Sequence, residues 1–329
     1  MSAALSKSQL RITALWAFSE AFLGGILHGF QVPFTGLVLS AFAAISMCAL
    51  ASKDFQRGKI LHATFLVMII KLTLSPHTPF TAYFAVLLQG CCAELLFSLH
   101  VPYKAACYIT AIFALMQSAL QKLIVLTVLF GMDGWMAFDE FLNGILQTFH
   151  ADKVSYSIYI IYGYLLLHLI AGIITGNYAA HVPALQPLND TPLLPLNIME
   201  QQSSKVRRRK RTFIFWLLFI VLLVVIYVNY ADKDALSFID SKPLKLIIRA
   251  SVIMVFWYFF LSPLLMNILK KWLTGRKNAL SSETEGILVI LPEIKQIVFY
   301  AWMISAKSGG VKRILVFVNY CFRLILTSA

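Results

Sequence analysis

The sequence predicts an all-α fold, a polytopic transmembrane helix bundle with about eight spanning helices and with amphipathic cytoplasmic-side helices at the C-terminus. Of its 329 residues, 59% are hydrophobic and only 13% are charged. Soluble domains carry about 25% charged residues. The mean hydropathy of +0.77 is too high for a surface in contact with water. The apolar residues are grouped in segments of about 20, the length that an α-helix needs to cross a bilayer.

Eight segments have the length and composition of a spanning helix. Polar or proline-containing breaks separate them, such as 75–79 and 100–102, because the residue before a proline is disfavoured in a helix. The acidic stretch 131–153 has the pattern of a short amphipathic helix in the membrane interface. The eight predicted spans are 12–28, 34–51, 59–75, 79–99, 105–131, 155–177, 212–230 and 246–269.

The chain divides near a proline-rich and then basic segment. Residues 1–180 are predicted to form a six-helix membrane bundle that binds a solute. Residues 181–211 are predicted to be a cytoplasmic linker that begins with several prolines and ends in a basic run. Residues 212–329 are predicted to form a two-helix membrane unit followed by cytoplasmic or interfacial helices. A further span at 311–328 stays open as an alternative.

Basic residues predict the orientation of the chain. A cytoplasmic N-terminus places most of the 28 lysines and arginines on the inner side of the membrane, in agreement with the positive-inside rule. The net charge of +13 is then a topology signal and an attraction to anionic lipid head groups, not a sign of nucleic-acid binding. We expect a multi-pass protein of the bacterial inner membrane, in contact with membrane lipids and with both termini in the cytoplasm.

Ionisable and amide side chains inside the predicted spans indicate a solute site. Such groups are costly in a membrane and usually face an interior or a cavity. In the predicted topology they lie toward the outer side, where a positive, amide-lined pocket would suit a small anionic or zwitterionic solute. Lys71 and Lys122 would meet its carboxylate or phosphate, and Glu20 could pair with a lysine in the empty state. The predicted substrate-binding residues are Glu20, Lys71, Gln89, Gln117, Gln121 and Lys122.

A purely structural role is the alternative for the charged residues of this set. Lys71 would extend its amine to the outer interface, and Glu20 would pair with Lys122 only to lower the cost of burial. His28 and His77 are weaker candidates, because loop histidines are more often bystanders than ligands.

A basic surface is the predicted docking site for a partner. The simpler alternative for its part near residue 208 is a basic stop at the start of a membrane helix. The predicted docking residues are Arg207, Arg208, Arg209, Lys312 and Arg313.

Sequence motifs of common catalytic sites are missing. The chain contains no GxxxxGK[ST] phosphate loop, no HExxH zinc motif and no GxSxG nucleophile motif. The five cysteines lie in apolar segments without a CxxC or Cys/His pattern, so neither disulfides nor a metal site are predicted. We expect no catalytic residues, no metal, no cofactor and no nucleic-acid partner.

The N-terminal half resembles the substrate-binding component of energy-coupling factor (ECF) vitamin transporters. The resemblance rests on six predicted helices in residues 1–180, on a first helix rich in small residues around Glu20 to Gly25, and on polar residues toward the outer side. The part after Leu269 is faintly similar to the transmembrane coupling component, although it lacks the Ala-Arg-Gly signature of that component. The resemblance implies a small vitamin-like solute that is bound outside and released inside. ATP hydrolysis would belong to separate partner subunits.

Two other functions stay open on the sequence. One is an integral membrane enzyme of lipid or isoprenoid metabolism that uses Glu20, Glu94 and histidines such as His100. The other is a membrane scaffold that binds partners through residues 178–211 and 281–329. The transporter requires its charged residues to converge on one pocket, the enzyme requires ionisable groups near one interface, and the scaffold requires neither.

Overall fold

The computed structural model describes residues 5–29, 34–52, 55–75, 78–147, 154–185 and 242–327, and these residues form helices without any strand. The all-α fold class predicted from the sequence is therefore confirmed for the described part of the chain. The α-helices are α1 (Lys7–Phe18), α2 (Gly24–Gly29), α3 (Thr35–Ser52), α4 (Lys59–Leu74), α5 (Phe80–Ser98), α6 (Tyr103–Gln147), α7 (Tyr156–His181), α8 (Lys242–Phe256), α9 (Ser262–Ala279), α10 (Ser281–Ser305) and α11 (Gly310–Thr327).

Six helical segments in the described ranges are long and apolar enough to cross a membrane, as expected of a multi-pass membrane protein. The predicted number of about eight spans is not confirmed. The predicted span 12–28 is divided by a π-helical turn, 59–75 forms a helix of 16 residues, and 212–230 lies outside the described residues. The six candidates are Thr35–Ser52, Phe80–Ser98, Tyr103–Ile145, Tyr156–Ala184, Arg249–Gly275 and Ser281–Ser305.

The two C-terminal helices differ in their suitability for the membrane. α10 is one of the six candidate spans, although the sequence predicts a cytoplasmic or interfacial position for it. α11 is not among the six candidates, and it carries Lys312, Arg313 and Arg323. On which side of the membrane these helices lie stays a prediction.

Contacts divide the chain into two compact units. The first consists of Met1–Gln121, Gly163–Leu193 and Leu265–Ala329, and the second of Lys122–Tyr162 and Leu194–Leu264. The domain ranges predicted from the sequence, 1–180, 181–211 and 212–329, stay predictions.

α1 is the central helix of the first unit. Every residue from Arg11 to Ala21 is buried, which covers more than three helical turns and therefore all faces of the helix. α3 and α4 pack against α1, and so do α10 and α11. The C-terminal helices thus complete the enclosure of the N-terminal one.

Charged residues hold α10 against the N-terminal helices. Glu293 of α10 forms an ion pair with Arg11 of α1, and Glu283 contacts His62 of α4. The backbone N–H of Leu5 donates to Oε1 of Glu283 at 3.1 Å. These contacts connect residues more than 200 positions apart in the sequence.

Small residues bring α6 and α7 together in the first unit. A β-carbon at Gly172 would lie 2.9 Å from Cα of Ile112, and one at Gly176 would lie 2.8 Å from Cα of Tyr108. Larger side chains at these two positions would push the helices apart, which agrees with the use of small residues for close packing between membrane helices.

The second unit contains a break in α6 at Gly131, which has φ +70°. A β-carbon at this glycine would lie 2.7 Å from Nη1 of Arg249 on α8. The stretch 131–153, predicted to be a short interfacial helix, continues α6 as far as Gln147. Asp139 of this helix accepts hydrogen bonds from the N–H of Ser157 at 2.6 Å and from its hydroxyl at 2.8 Å, and so caps the start of α7.

Candidate functional site

An ion pair lies buried inside the first unit. Nζ of Lys71 is 2.7 Å from Oε2 of Glu20, and the two side chains are only 5% and 6% exposed. Lys71 belongs to the last turn of α4, where the free carbonyl groups of the helix favour a positive charge. The pair carries no net charge, which lowers the cost of burying either group. The partner of Glu20 in the structure is therefore Lys71.

Glu20 lies in a π-helical turn, Ser19–Leu23, between α1 and α2. The N–H of Gly24 donates to the carbonyl of Ser19, five residues earlier, so this turn contains one residue more than an α-helical turn. The additional residue rotates the side chains that follow by about 100° around the helix axis. π-helical turns occur frequently at functional sites. The sequence predicted a continuous helix here and carried no signal for the turn.

Tyr83 of α5 lies beside the lysine of the pair. Its ring centroid is 5.8 Å from Nζ of Lys71, within the range of a cation–π interaction. The side chain is fully buried, and its hydroxyl donates to the carbonyl of Ser75 at 3.5 Å. Sequence reasoning missed Tyr83, although its spacing from Val86 and Gly90 on the buried face of α5 was an available signal.

Three glutamines form a chain of hydrogen bonds between α5 and α6. Nε2 of Gln89 donates to Oε1 of Gln117 at 2.8 Å, and Nε2 of Gln117 donates to Oε1 of Gln121 at 3.0 Å. The chain ends at the carbonyl of Thr81, to which Gln121 donates at 3.3 Å. Gln89 also donates to the hydroxyl of Ser40 on α3 at 3.3 Å. The three predicted amide residues are therefore brought together, and most of their N–H donors are used in these hydrogen bonds.

An apolar cavity of about 240 Å³ opens between α4, α5 and α9 in the first unit. Met68, Tyr83 and Leu87 line one side, and Leu269 and Trp272 line the other. All nine lining residues are aliphatic, aromatic or methionine. Tyr83 is shared between this cavity and the surroundings of the ion pair. The cavity was not predicted, because its lining comes from segments that are distant in the sequence.

Lys122 differs from the other predicted substrate-binding residues. Its side chain is exposed, and it belongs to the second unit, whereas Glu20, Lys71 and Gln121 belong to the first. Its participation in a solute site stays a prediction.

Glu94, which the membrane-enzyme hypothesis requires as a reactive carboxylate, accepts backbone hydrogen bonds in the structure. Its carboxylate accepts from the N–H groups of Gly58 at 2.6 Å, Ile60 at 3.0 Å and Leu61 at 3.2 Å. These are the free donors at the start of α4, so Glu94 caps that helix from α5. His100, the other residue named for an enzyme, is exposed after the end of α5.

The predicted docking residues are described only in part. Lys312 is exposed at the start of α11, and the guanidinium of Arg313 lies 4.0 Å from the ring centroid of Trp302 on α10. Arg207, Arg208 and Arg209 lie outside the described residues, and so do His77 and the side chain of His28.

His168 of α7 is a buried histidine that sequence reasoning missed. Its Nδ1–H donates to the carbonyl of Tyr164 at 2.9 Å, and the two rings lie 4.3 Å apart. Its Nε2 has no hydrogen-bond partner among the described residues. Within the same residues, no group of three or more His, Cys, Asp or Glu side chains has the geometry of a metal site.

No protein-family model, curated protein sequence or solved structure matches the chain.

Proposed function

We propose that this chain is the solute-binding component of a membrane uptake system, similar to the substrate-binding component of ECF transporters. Its substrate is a small anionic or zwitterionic vitamin-like solute that binds from the outside, within the first unit. The observation that supports this proposal most directly is the buried ion pair between Glu20 and Lys71.

The ion pair supports a functional role because it does not stabilise the fold efficiently. Removing two charges from water costs several kcal/mol per ion, roughly as much as their attraction returns, and apolar residues of similar volume are often equally stabilising. Ionisable groups inside a membrane protein therefore suggest a ligand site by default. In the empty protein the two residues neutralise each other, and both charged groups become available to a solute when the pair opens.

The amide chain supports the same site from the side of α5 and α6. Gln89, Gln117 and Gln121 satisfy one another in the empty protein. Amide groups can exchange such mutual bonds for bonds to a polar solute without leaving a buried donor unpaired, because each carries both donors and an acceptor.

Energy coupling belongs, in this proposal, to separate ATPase subunits on the cytoplasmic side of a bacterial inner membrane. Lys312, which is exposed, and Arg313, which is half-buried against Trp302, form the proposed docking surface on α11. The run at 207–209 is proposed as a further docking segment. Co-purification of the ATPase subunits with the unchanged protein and with the variant Lys312→Glu, Arg313→Glu tests this docking separately from solute binding.

The test of the solute site is ligand binding by the purified full chain, measured as thermal stabilisation across a panel of vitamins, nucleobases, amino acids and small carboxylates. A ligand at a hundredfold excess over its Kd stabilises by about 2.7 kcal/mol, which is a visible shift in Tm. We expect one class of solute to stabilise the chain, and we expect Glu20→Gln and Lys71→Met to abolish that shift.

Two further variants sharpen the result. Lys104→Gln, an exposed change at the start of α6, is the matched control and should leave binding unchanged. Lys122→Gln decides whether that lysine belongs to the site, because only a ligand contact would reduce affinity at an exposed position. Solute binding that persists in both Glu20→Gln and Lys71→Met would contradict the proposed site.

A further inference from the structure

Tyr83 lies where two unlike environments meet. Its ring centroid is 5.8 Å from Nζ of Lys71, which pairs with Glu20. The same side chain lines the apolar cavity of about 240 Å³. Met68, which also lines the cavity, lies three residues before Lys71 on α4 and therefore one turn along the same face. A buried pair of opposite charges and an apolar cavity are thus neighbours.

The charges of the site restrict which ligand it can take. An anion that binds Lys71 would leave the carboxylate of Glu20 buried without a partner, since the two side chains are 5% and 6% exposed. A cation that binds Glu20 would leave the ammonium group of Lys71 buried without a partner. An uncompensated buried charge is strongly unfavourable. A ligand with one positive and one negative group replaces both partners and leaves no charge unpaired.

The cavity restricts the remainder of the ligand. An enclosed apolar cavity of roughly 150 Å³ holds a benzene molecule. The cavity beside Tyr83 is partly open, and Ile268 in its lining is 59% exposed. The cavity beside Tyr83 is larger, at about 240 Å³, and its lining includes Leu87, Leu265 and Trp272. It therefore has room for a phenyl or branched aliphatic group, and it offers no hydrogen bonds to a polar one.

We propose that the ligand of this site is a small zwitterion with a carboxylate and an ammonium group on the same carbon atom and an apolar side group, the chemistry of an apolar α-amino acid. The carboxylate binds Lys71, the ammonium group binds Glu20, and the side group enters the cavity past Tyr83. This inference rests on the proposed function and narrows its substrate class, which otherwise includes anions.

The test measures binding of matched probes to the full chain by thermal stabilisation and calorimetry. The zwitterions are L-phenylalanine and L-leucine. 3-Phenylpropionate lacks the ammonium group, 2-phenylethylamine lacks the carboxylate, and glycine lacks the apolar group. We expect L-phenylalanine or L-leucine to bind at least a hundredfold more tightly than each of the three incomplete probes.

Filling the cavity tests the second half of the proposal. Leu87→Phe and the larger Leu87→Trp place additional atoms in the cavity, while Leu95→Trp makes the same change on an exposed position two turns later on α5. We expect the Leu87 variants to weaken zwitterion binding at least tenfold and Leu95→Trp to leave it unchanged. Thermal unfolding of the empty variants shows whether each of them is folded. If Leu87→Trp does not fold, the smaller change Leu87→Phe provides the test.

The outcomes separate this inference from the proposed function. If 3-phenylpropionate or another anion binds as tightly as the zwitterions, the inference is overturned and the proposed uptake function stands. If the zwitterions do not bind but a vitamin does, the amino-acid inference is likewise overturned and the proposed uptake function stands. If no soluble compound binds, and phosphatidylethanolamine nanodiscs stabilise the chain more than phosphatidylglycerol nanodiscs, the zwitterion is a lipid head group and both proposals fail.

Discussion

Gly90 of α5 faces Thr64 of α4 so closely that a β-carbon at position 90 would lie 2.2 Å from Oγ1 of Thr64 and 2.9 Å from its Cβ. The threonine cannot move aside easily, because its hydroxyl donates to the carbonyl of Ile60 at 2.7 Å. Glycine at this position therefore sets the distance between the two helices that carry Lys71 and Tyr83.

Gly90→Ala should destabilise the protein even though alanine favours helix. The added methyl group must separate α4 from α5, and overpacking of this kind costs about 1–3 kcal/mol. Gly163→Ala on α7 is the matched control, because nothing lies within 4 Å of its β-carbon. For Gly163→Ala we expect no loss of stability, and a gain of up to about 1 kcal/mol because alanine has the higher helix propensity. Thermal unfolding in detergent measures both, and equal stability of the two variants would contradict the close approach.

The ion pair should behave as a coupled unit. Glu20→Gln and Lys71→Met each leave one buried charge without a partner, so each should destabilise the empty protein by about 3–5 kcal/mol. The double variant contains no unpaired charge and should lose much less than the sum of the two. Unfolding of all three variants provides the coupling energy, and strictly additive losses would mean that the two groups do not interact.

The glutamine chain should be more sensitive to one substitution than to three. Gln117→Leu leaves a donor of Gln89 and the acceptor of Gln121 unpaired, which should cost about 1–3 kcal/mol. Replacing all three glutamines with leucine removes these unpaired groups together and should cost no more than the single change. The comparison is again made by thermal unfolding. A triple variant that is far less stable than Gln117→Leu would contradict the series of hydrogen bonds between the glutamines.

Glu94 should contribute to stability as a helix cap. Glu94→Ala removes the acceptor for the N–H groups of Gly58, Ile60 and Leu61, so we expect a loss of about 1–2 kcal/mol. Glu285→Ala, at an exposed position near the start of α10, should change stability by about 0.5 kcal/mol or less. A loss of similar size in both variants would indicate a general effect of charge instead of a cap.

The contact between α1 and α10 can be captured by a cross-link. A β-carbon at Gly286 would lie 3.4 Å from Cδ2 of Leu10, so cysteines at these two positions should be joined by a short bifunctional methanethiosulfonate in a background without the five native cysteines. The loop position Gly309, whose β-carbon would meet nothing within 4 Å, provides the control pair with Leu10→Cys. Non-reducing gel electrophoresis after proteolysis between the two positions distinguishes linked from unlinked chains, and linkage of the control pair alone would contradict the packing.

The sequence predicted the helices well where apolar segments end at strong breaks. The predicted spans 34–51 and 79–99 differ from α3 and α5 by one residue at each end, because loops rich in charge or proline bound them. The predicted span 212–230 lies outside the described residues. The π-helical turn at Ser19–Leu23 was not predicted, because its composition is that of an ordinary apolar helix.

The candidate site was predictable as a set of residues and only partly as a set of contacts. Ionisable and amide groups in apolar segments are visible in the sequence, and Glu20, Lys71 and Gln89 were found in this way. The partner of Glu20 was not determined, because helix periodicity records which residues share a face and not which helix that face meets. Tyr83 and the cavity beside it were missed for the same reason, since aromatic and aliphatic residues are common everywhere in a membrane helix.

The burial of α1 from Arg11 onward has a consequence for how the protein is made. Residues 7–18 leave the ribosome before their final neighbours in α10 and α11, which are synthesised about 260 residues later. At roughly 5–20 residues per second, that delay is on the order of 10–50 s. During this interval one side of the nascent helix, including the cation of Arg11, must be covered by lipid or by an insertion factor. A ribosome that stops before residue 281 therefore releases a chain whose first helix is incompletely packed, and membrane quality control can recognise it by that surface.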